Sequence, residues 1–369
     1  MNSQSAKASG PIVLLNDRVL RAGQGVVAVW NIDALDQHVP GEKKPIGGKI
    51  STSHTWCDDG SDEENECIEP SAGNKCHASI ALENQYLCIG PWTPHPSTSG
   101  VMLVAPNPWY HGSFGKDRCH AIDLESGRVA AKYIGHGSGV ATFSTSKVDP
   151  HTFLTGSYDG YVRLFDTRQP LPILTVDVSS RHDSCASALF IHPDGIPTII
   201  TGSGRGENIK VWDVRARAQV YELATGNNAV VDMVWDDTRS VLYAATECMY
   251  VDRMGFTRKY RPAKLPKRRI GTAHNKADVP GPDGGEMEVE EIPDDSGNME
   301  GCDEEDDDDD DDDDDGYESE NDYRWPRTAE HAEDYFGYTF DSCEDRLFRY
   351  TFKHDVNPDV LPGWGDANI

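Results

Sequence analysis

The chain has 369 residues and a net charge of -29, and 37% of it is hydrophobic, enough for a packed core. The charge is local, because residues 278–322 hold 25 Asp or Glu and no Lys or Arg, which leaves -4 for the rest. No run approaches the roughly 18 apolar residues of a membrane span, and the opening MNSQSAKASGPIVLL lacks a basic stretch leading into an apolar core. The expectation is an intracellular protein of nucleus or cytoplasm, neither secreted nor membrane-bound.

In chain order, residues 1–32 read as part of a first unit: Leu20 to Asp33 supply its second and third strands, ending Trp30-Asn31, so that the chain enters mid-unit. Residues 33–78 form a polar insertion containing PGEKKPIGGK and CDDGSDEENECIEPSAGN, a composition suited to a surface loop. The 135 residues from Trp30 to Phe165 equal three periods of 45, which leaves open a degenerate unit hidden there. Residues 79–255 carry the repeats. VMLVAPNP and RCHAIDLESGRVAAKYIGH give strands of one unit, with Asp123 near the Trp-Asp position. TGSYDGYVRLFDTR and TGSGRGENIKVWDVR then align over their length, their terminal Asp-x-Arg triplets 47 residues apart, and the histidines that precede them, His136 and His182, lie 46 apart. A further start at Gly226-Asn227 leads into VVDMVWDD and SVLYAATE.

The segments are short, rich in Val, Ile, Leu, Thr, Tyr and Phe, and punctuated by Gly, Asp, Asn and Pro, which predicts strands. Val162 and Leu164 share one face and Tyr161 and Phe165 the other; Ile209 and Val211 lie opposite Trp212. Both faces are largely apolar, as required when each small sheet lies between two others. Residues 256–328 form a basic, then acidic, insertion predicted to be disordered. DRMGFTRKYRPAKLPKRR opens it with eight Lys or Arg, and ten consecutive aspartates run from Asp306 to Asp315. Residues 329–369 hold the final strands and a tail, with DYFGYTFDSCEDRLFRYTFKHD read as two strands turning near Glu344-Asp345.

Gly135-His136, Asp159-Gly160 and Trp212-Asp213 resemble the repeat of the WD-repeat family. The resemblance implies an all-β fold, a WD-repeat β-propeller of four-stranded blades. About five units are legible where six to eight are usual, so either blades are hidden or a seven-bladed ring lacks N-terminal blades. It also implies a buried hydrogen-bond chain of histidine, turn aspartate, strand hydroxyl and tryptophan. His136, Asp159 and Trp212 are its structural residues here, with Thr155 or Ser157 as the hydroxyl. Phe165 replaces one tryptophan, and Gly204-Arg205-Gly206-Glu207 replaces one Asp-Gly turn, so no single unit carries the full chain.

Searching for chemistry yields none. His182-Asp183-Ser184-Cys185 is the densest cluster, but neighbours on a strand cannot converge. Cys57, Cys67, Cys76 and His77 stand too far apart for a structural zinc site, the nine cysteines include no CxxC pair, and Gly202, Gly204 and Gly206 lack the Lys-Ser of a phosphate loop. We therefore expect no cofactor, no metal and no enzyme, but a non-catalytic scaffold for protein–protein interaction. Two sharper readings accompany it. Asp166, Arg168, Asp213 and Arg215 resemble the paired Asp-x-Arg triplets by which WD-repeat substrate receptors dock on a cullin-RING ubiquitin-ligase adaptor. The acidic tract suits a chromatin or ribosome-assembly factor holding basic partners such as histones. Lys264 to Arg269 fit a nuclear-import signal. Nucleic acid is a disfavoured partner, because the polyanion beside the basic run competes with phosphates.

Overall fold

The computed structural model describes residues 10–38, 45–48, 72–107, 119–178, 184–251, 254, 256, 258–262, 324–327 and 341–352. Five antiparallel sheets follow one another along the chain. The first holds β1 (Ile12–Leu15), β2 (Arg18–Ala22), β3 (Val26–Asn31) and β4 (Ala78–Ala81); the second β5 (Ile89–Pro94), β6 (Val101–Pro106), β7 (Cys119–Asp123) and β8 (Val129–Tyr133). The third holds β9 (Val140–Thr145), β10 (Thr152–Ser157), β11 (Tyr161–Asp166) and β12 (Pro172–Asp177); the fourth β13 (Cys185–Ile191), β14 (Thr198–Ser203), β15 (Asn208–Asp213) and β16 (Ala218–Ala224). The fifth joins β17 (Ala229–Asp236) and β18 (Val241–Glu247) to a strand from far along the chain, while β19 (Tyr260–Pro262) and β20 (Arg324–Pro326) pair with each other. That distant strand is β21 (Arg346–Thr351), which lies against β18 with Thr246 opposite Arg346. Within each sheet neighbours in sequence are neighbours in space, and the first strands β1, β5, β9, β13 and β17 pack in a row. This is the four-stranded-blade architecture of a propeller.

Three expectations change. The first sheet is a complete four-stranded blade, because Ile12–Leu15 supplies a first strand and Ala78–Ala81 a fourth; the chain does not enter mid-blade. The first strand was missed because its exposed edge leaves IVLL without polar alternation. The segment 256–328 is not wholly irregular, since its ends pair as β19 and β20. Near the C-terminus, Arg346–Thr351 is one strand that pairs with β18 across the insertion; the second strand expected in that segment lies outside the described residues.

Cores form between blades, each fed by alternate residues of two sheets. Val162 and Leu164 face Ile199 and Trp212 of the fourth blade, while Phe165 packs with Phe153, Tyr133 and Leu103 towards the second. Ile209 and Val211 meet Val230, Met233 and Leu242 of the fifth. Close approach is built into the second strands. A Cβ on Gly156 would sit 2.8 Å from Thr142 and 3.1 Å from the Cys185 carbonyl, and one on Gly202 would sit 2.4 Å from Val230. The ladder positions corresponding to these glycines are Ala22, Ala105 and, in the fifth blade, Glu247. The two alanines are fully buried and Glu247 is exposed, as are Val231, Val234 and Leu347 of the same blade.

An antiparallel meander puts the turns between strands two and three on one edge of every blade, and the one-to-two and three-to-four turns on the other. The polar insertion leaves after β3 and the acidic insertion after β18, so the two depart from opposite edges.

Candidate functional site

In the third, fourth and fifth blades a threonine of the second strand anchors the internal hydrogen bonding. In the third blade His136 Nε2 shares a 2.9 Å hydrogen bond with Thr155 Oγ1, which itself donates to the Arg163 carbonyl. Thr155, not Ser157, is thus the hydroxyl; Ser157 donates to the Gly139 carbonyl at 3.0 Å. In the fourth blade Trp212 Nε1 donates to Thr201 Oγ1 at 3.1 Å. In the fifth, Asn228 Nδ2 donates to Thr246 Oγ1 at 2.9 Å, and Thr246 donates to the Arg346 carbonyl. Asn228 stands where His136 stands, 92 residues on, one residue past the Gly226-Asn227 start read from the sequence. His182 lies outside the described residues.

Asp159 does not continue this chain. It accepts from the Gly137 N–H at 2.6 Å and forms a two-contact pair with Arg163, at 3.0 and 2.9 Å. Burial opposes its charge, yet the Arg163 and Gly137 bonds hold its carboxyl below the usual value. His136 is stacked on Phe165 at 5.4 Å, and burial, with the Arg163 charge, pushes its pKa down to about 4. It is therefore a neutral histidine held by packing.

Both Asp-x-Arg triplets sit on the opposite edge, just past the third strands. Asp166 Oδ1 accepts from the Arg168 N–H, and the Arg168 guanidinium forks onto the same carboxylate at 2.8 and 2.5 Å. Those bonds bring the Asp166 pKa down to about 2. Asp213 caps the Arg215 and Ala216 N–H groups, with Arg215 3.5 Å away. Asp236 does the same for Thr238 and Arg239, and Asp123 for Glu125 and Ser126. Four blades thus use aspartate as a turn cap, and the exposed arginines fold onto their own caps.

The acidic insertion has a root. Ser342 donates through N and Oγ to the Gly226 carbonyl, Asn228 reaches the Glu344 carbonyl at 2.8 Å, and Cys248 N–H donates to Asp345. The outgoing strand bends back through Arg258 N–H to the Tyr250 carbonyl, and Tyr250 OH donates to Glu207 in the turn of the fourth blade. Tyr250 and Tyr260 meet edge to face at 5.8 Å, and Trp325 is 2% exposed. Burial raises the Asp341 carboxyl, the Tyr260 phenol and the Cys343 thiol, the last to about 11 with help from Asp341. Pro262 and Arg324, which bracket residues 263–323 in the chain, stand opposite each other in the β19–β20 ladder.

Of the cluster weighed for catalysis, Cys185 is a buried first residue of β13 and His182 and Asp183 fall outside the described residues. His77 Nδ1 accepts from the Asn31 N–H, while Cys57 and Cys67 are outside them; among the described residues no group of three His, Cys, Asp or Glu is placed to hold a metal ion.

No family model matches the chain. It is 38% identical over 93 residues to the U3 small nucleolar RNA-associated protein 15 of Saccharomyces cerevisiae, a match spanning 25% of this chain and 17% of the yeast protein. It is 30% identical over 98 residues to the homologue from Gallus gallus, covering 27% and 18%. Autophagy-related protein 16 of Arabidopsis thaliana matches at 27% over 111 residues, or 30% and 21%. Among solved structures, a chain of the mitotic checkpoint complex aligns with a TM-score of 0.43 at 13% identity, over 65% of this chain and 57% of that one. The chain thus spans about a fifth or less of the length of these curated relatives, and the expectation against nucleic acid finds no support in relatives whose names tie them to a small nucleolar RNA.

Proposed function

We propose that this chain is a non-catalytic interaction scaffold on a WD-repeat propeller, working in the nucleus in ribonucleoprotein assembly of the ribosome-building kind. The observation that carries the reading is the rooted insertion. The chain on either side of a segment with 25 acidic residues is tied to the edge of the fourth and fifth blades, and so concentrated a negative charge next to a rigid surface suits basic proteins. The similarity to proteins named for association with U3 small nucleolar RNA favours assembly over chromatin. Docking on a ubiquitin-ligase adaptor through Arg168 and Arg215 is the second reading, and turn capping already accounts for both triplets.

Affinity purification of the tagged chain tests the scaffold. Replacing Asp306–Asp315 with a Gly-Ser run should strip basic proteins from the recovered set, whereas Arg168→Ala with Arg215→Ala should leave that set intact. Recovery of the same basic proteins without the aspartates would refute the acidic-tract reading. Loss of a ligase adaptor in the double arginine variant would favour the second one.

A further inference from the structure

We propose that a second copy of this chain docks head to tail, the open face of its first blade seating on the open face of the fifth blade. The fourth blade shows how such a face is used. Its Ile191, Ile200 and Val211 are buried against Val230 and Met233 of the fifth blade. In the fifth blade the corresponding ladder positions are Val234, Ala245 and Leu347. These are apolar too, yet Val234 and Leu347 are 60% and 71% exposed and Ala245 is half-buried. A terminal face that only meets water is polar, as capping repeats are, whereas large apolar side chains kept in the open mark a contact surface.

The other half of the same contact is exposed at the opposite end of the row. Ile12 lies opposite Arg21 and Leu14 opposite Val19, the ladder positions that Val230 and Met233 hold against Thr246 and Ala244. Val230 and Met233 are buried, whereas Ile12 and Leu14 are 50% and 68% exposed. The chain thus carries both halves of its own interblade contact, one on each end, and its own first blade leaves Val234 and Leu347 in solvent. This continuity with the contact between the fourth and fifth blades favours a second copy over an unrelated protein, which would match one end and leave the other unexplained. The contact joins two different surfaces, so copies add in a row or close a ring. It is shallower than the internal one. A Cβ on Gly202 would sit 2.4 Å from Val230, and the fifth blade has Glu247 at that position, so the second copy seats less closely and binds reversibly. The net charge of -29 on each copy adds a repulsion that salt screens.

Sedimentation velocity of the full chain over a concentration series tests this. Association should rise with concentration and strengthen with added salt. Leu14→Glu and Leu347→Glu should each weaken it about tenfold or more, because either one buries a charge in the contact. Both side chains are exposed, so each variant should melt as its parent does. Mixing the two variants should restore a dimer and nothing larger, since each supplies the face that the other has lost. Glu247→Gly should tighten association by letting the copies seat more closely. The proposal is overturned if the chain stays monomeric throughout, if either Glu variant associates like its parent, if their mixture stays monomeric, if salt weakens the contact, or if Glu247→Gly fails to tighten it.

Discussion

The third and fifth blades share a hydrogen-bond plan and differ in what they connect. In both, a buried donor from the strand-one entry reaches a threonine that bonds across to the third strand: His136 to Thr155 to Arg163, and Asn228 to Thr246 to Arg346. The third blade joins strands two and three by the tight turn at Asp159-Gly160; the fifth inserts residues 248–345 at the same place. The plan survives a long insertion because the threonine bond lies inside the turn and closes the ladder before the insertion begins. Loop length is cheap once its ends are held, since closure entropy grows only logarithmically with length. The fifth blade therefore carries a tract that a tight turn could not.

The comparison is broken most severely by aromatic truncation. Phe165 is fully buried among His136, Tyr133 and Phe153, so Phe165→Ala should cost about 3–5 kcal/mol, whereas Phe348→Ala in the less buried fifth blade should cost clearly less; urea denaturation of both variants checks the order. Acid should separate the blades next. A histidine with a folded pKa of about 4 against 6.5 contributes fully above pH 6.5 and loses its contribution as pH falls to about 4, roughly 3 kcal/mol in all. The fifth blade, with Asn228, lacks this window, and His136→Asn should flatten the pH dependence of stability measured in stepped buffers.

Interblade fit gives a smaller contrast. Gly202→Ala drives a methyl into Val230 and should destabilise by about 1–3 kcal/mol, while Glu247→Ala, at the corresponding exposed position, should leave the melting temperature unchanged. Smallest of all, Arg168→Ala with Arg215→Ala should not shift melting measurably, because both guanidinium groups are exposed and pair with their own turn aspartates.

Much of this was legible in residue order. The period, the strand faces at Val162, Leu164 and Phe165, and the turn aspartates follow from alternation and Gly-Asp punctuation, which are local signals. What escaped depends on distant partners. Asn228 acquires its role only when Glu344 and Thr246 are brought beside it, and β21 finds β18 across almost a hundred residues. The hairpin ends β19 and β20 are three residues each, too short for alternation to show. The acidic run dominates the composition of its segment so completely that the paired ends β19 and β20 read as part of the same solvated loop.

Calorimetric titration of the full chain with a lysine- and arginine-rich peptide tests the central claim most directly. The account predicts binding that weakens at least tenfold when Asp306–Asp315 are replaced by a Gly-Ser run and that keeps its affinity in the Arg168→Ala, Arg215→Ala chain. Equal affinity with and without the aspartates would contradict it.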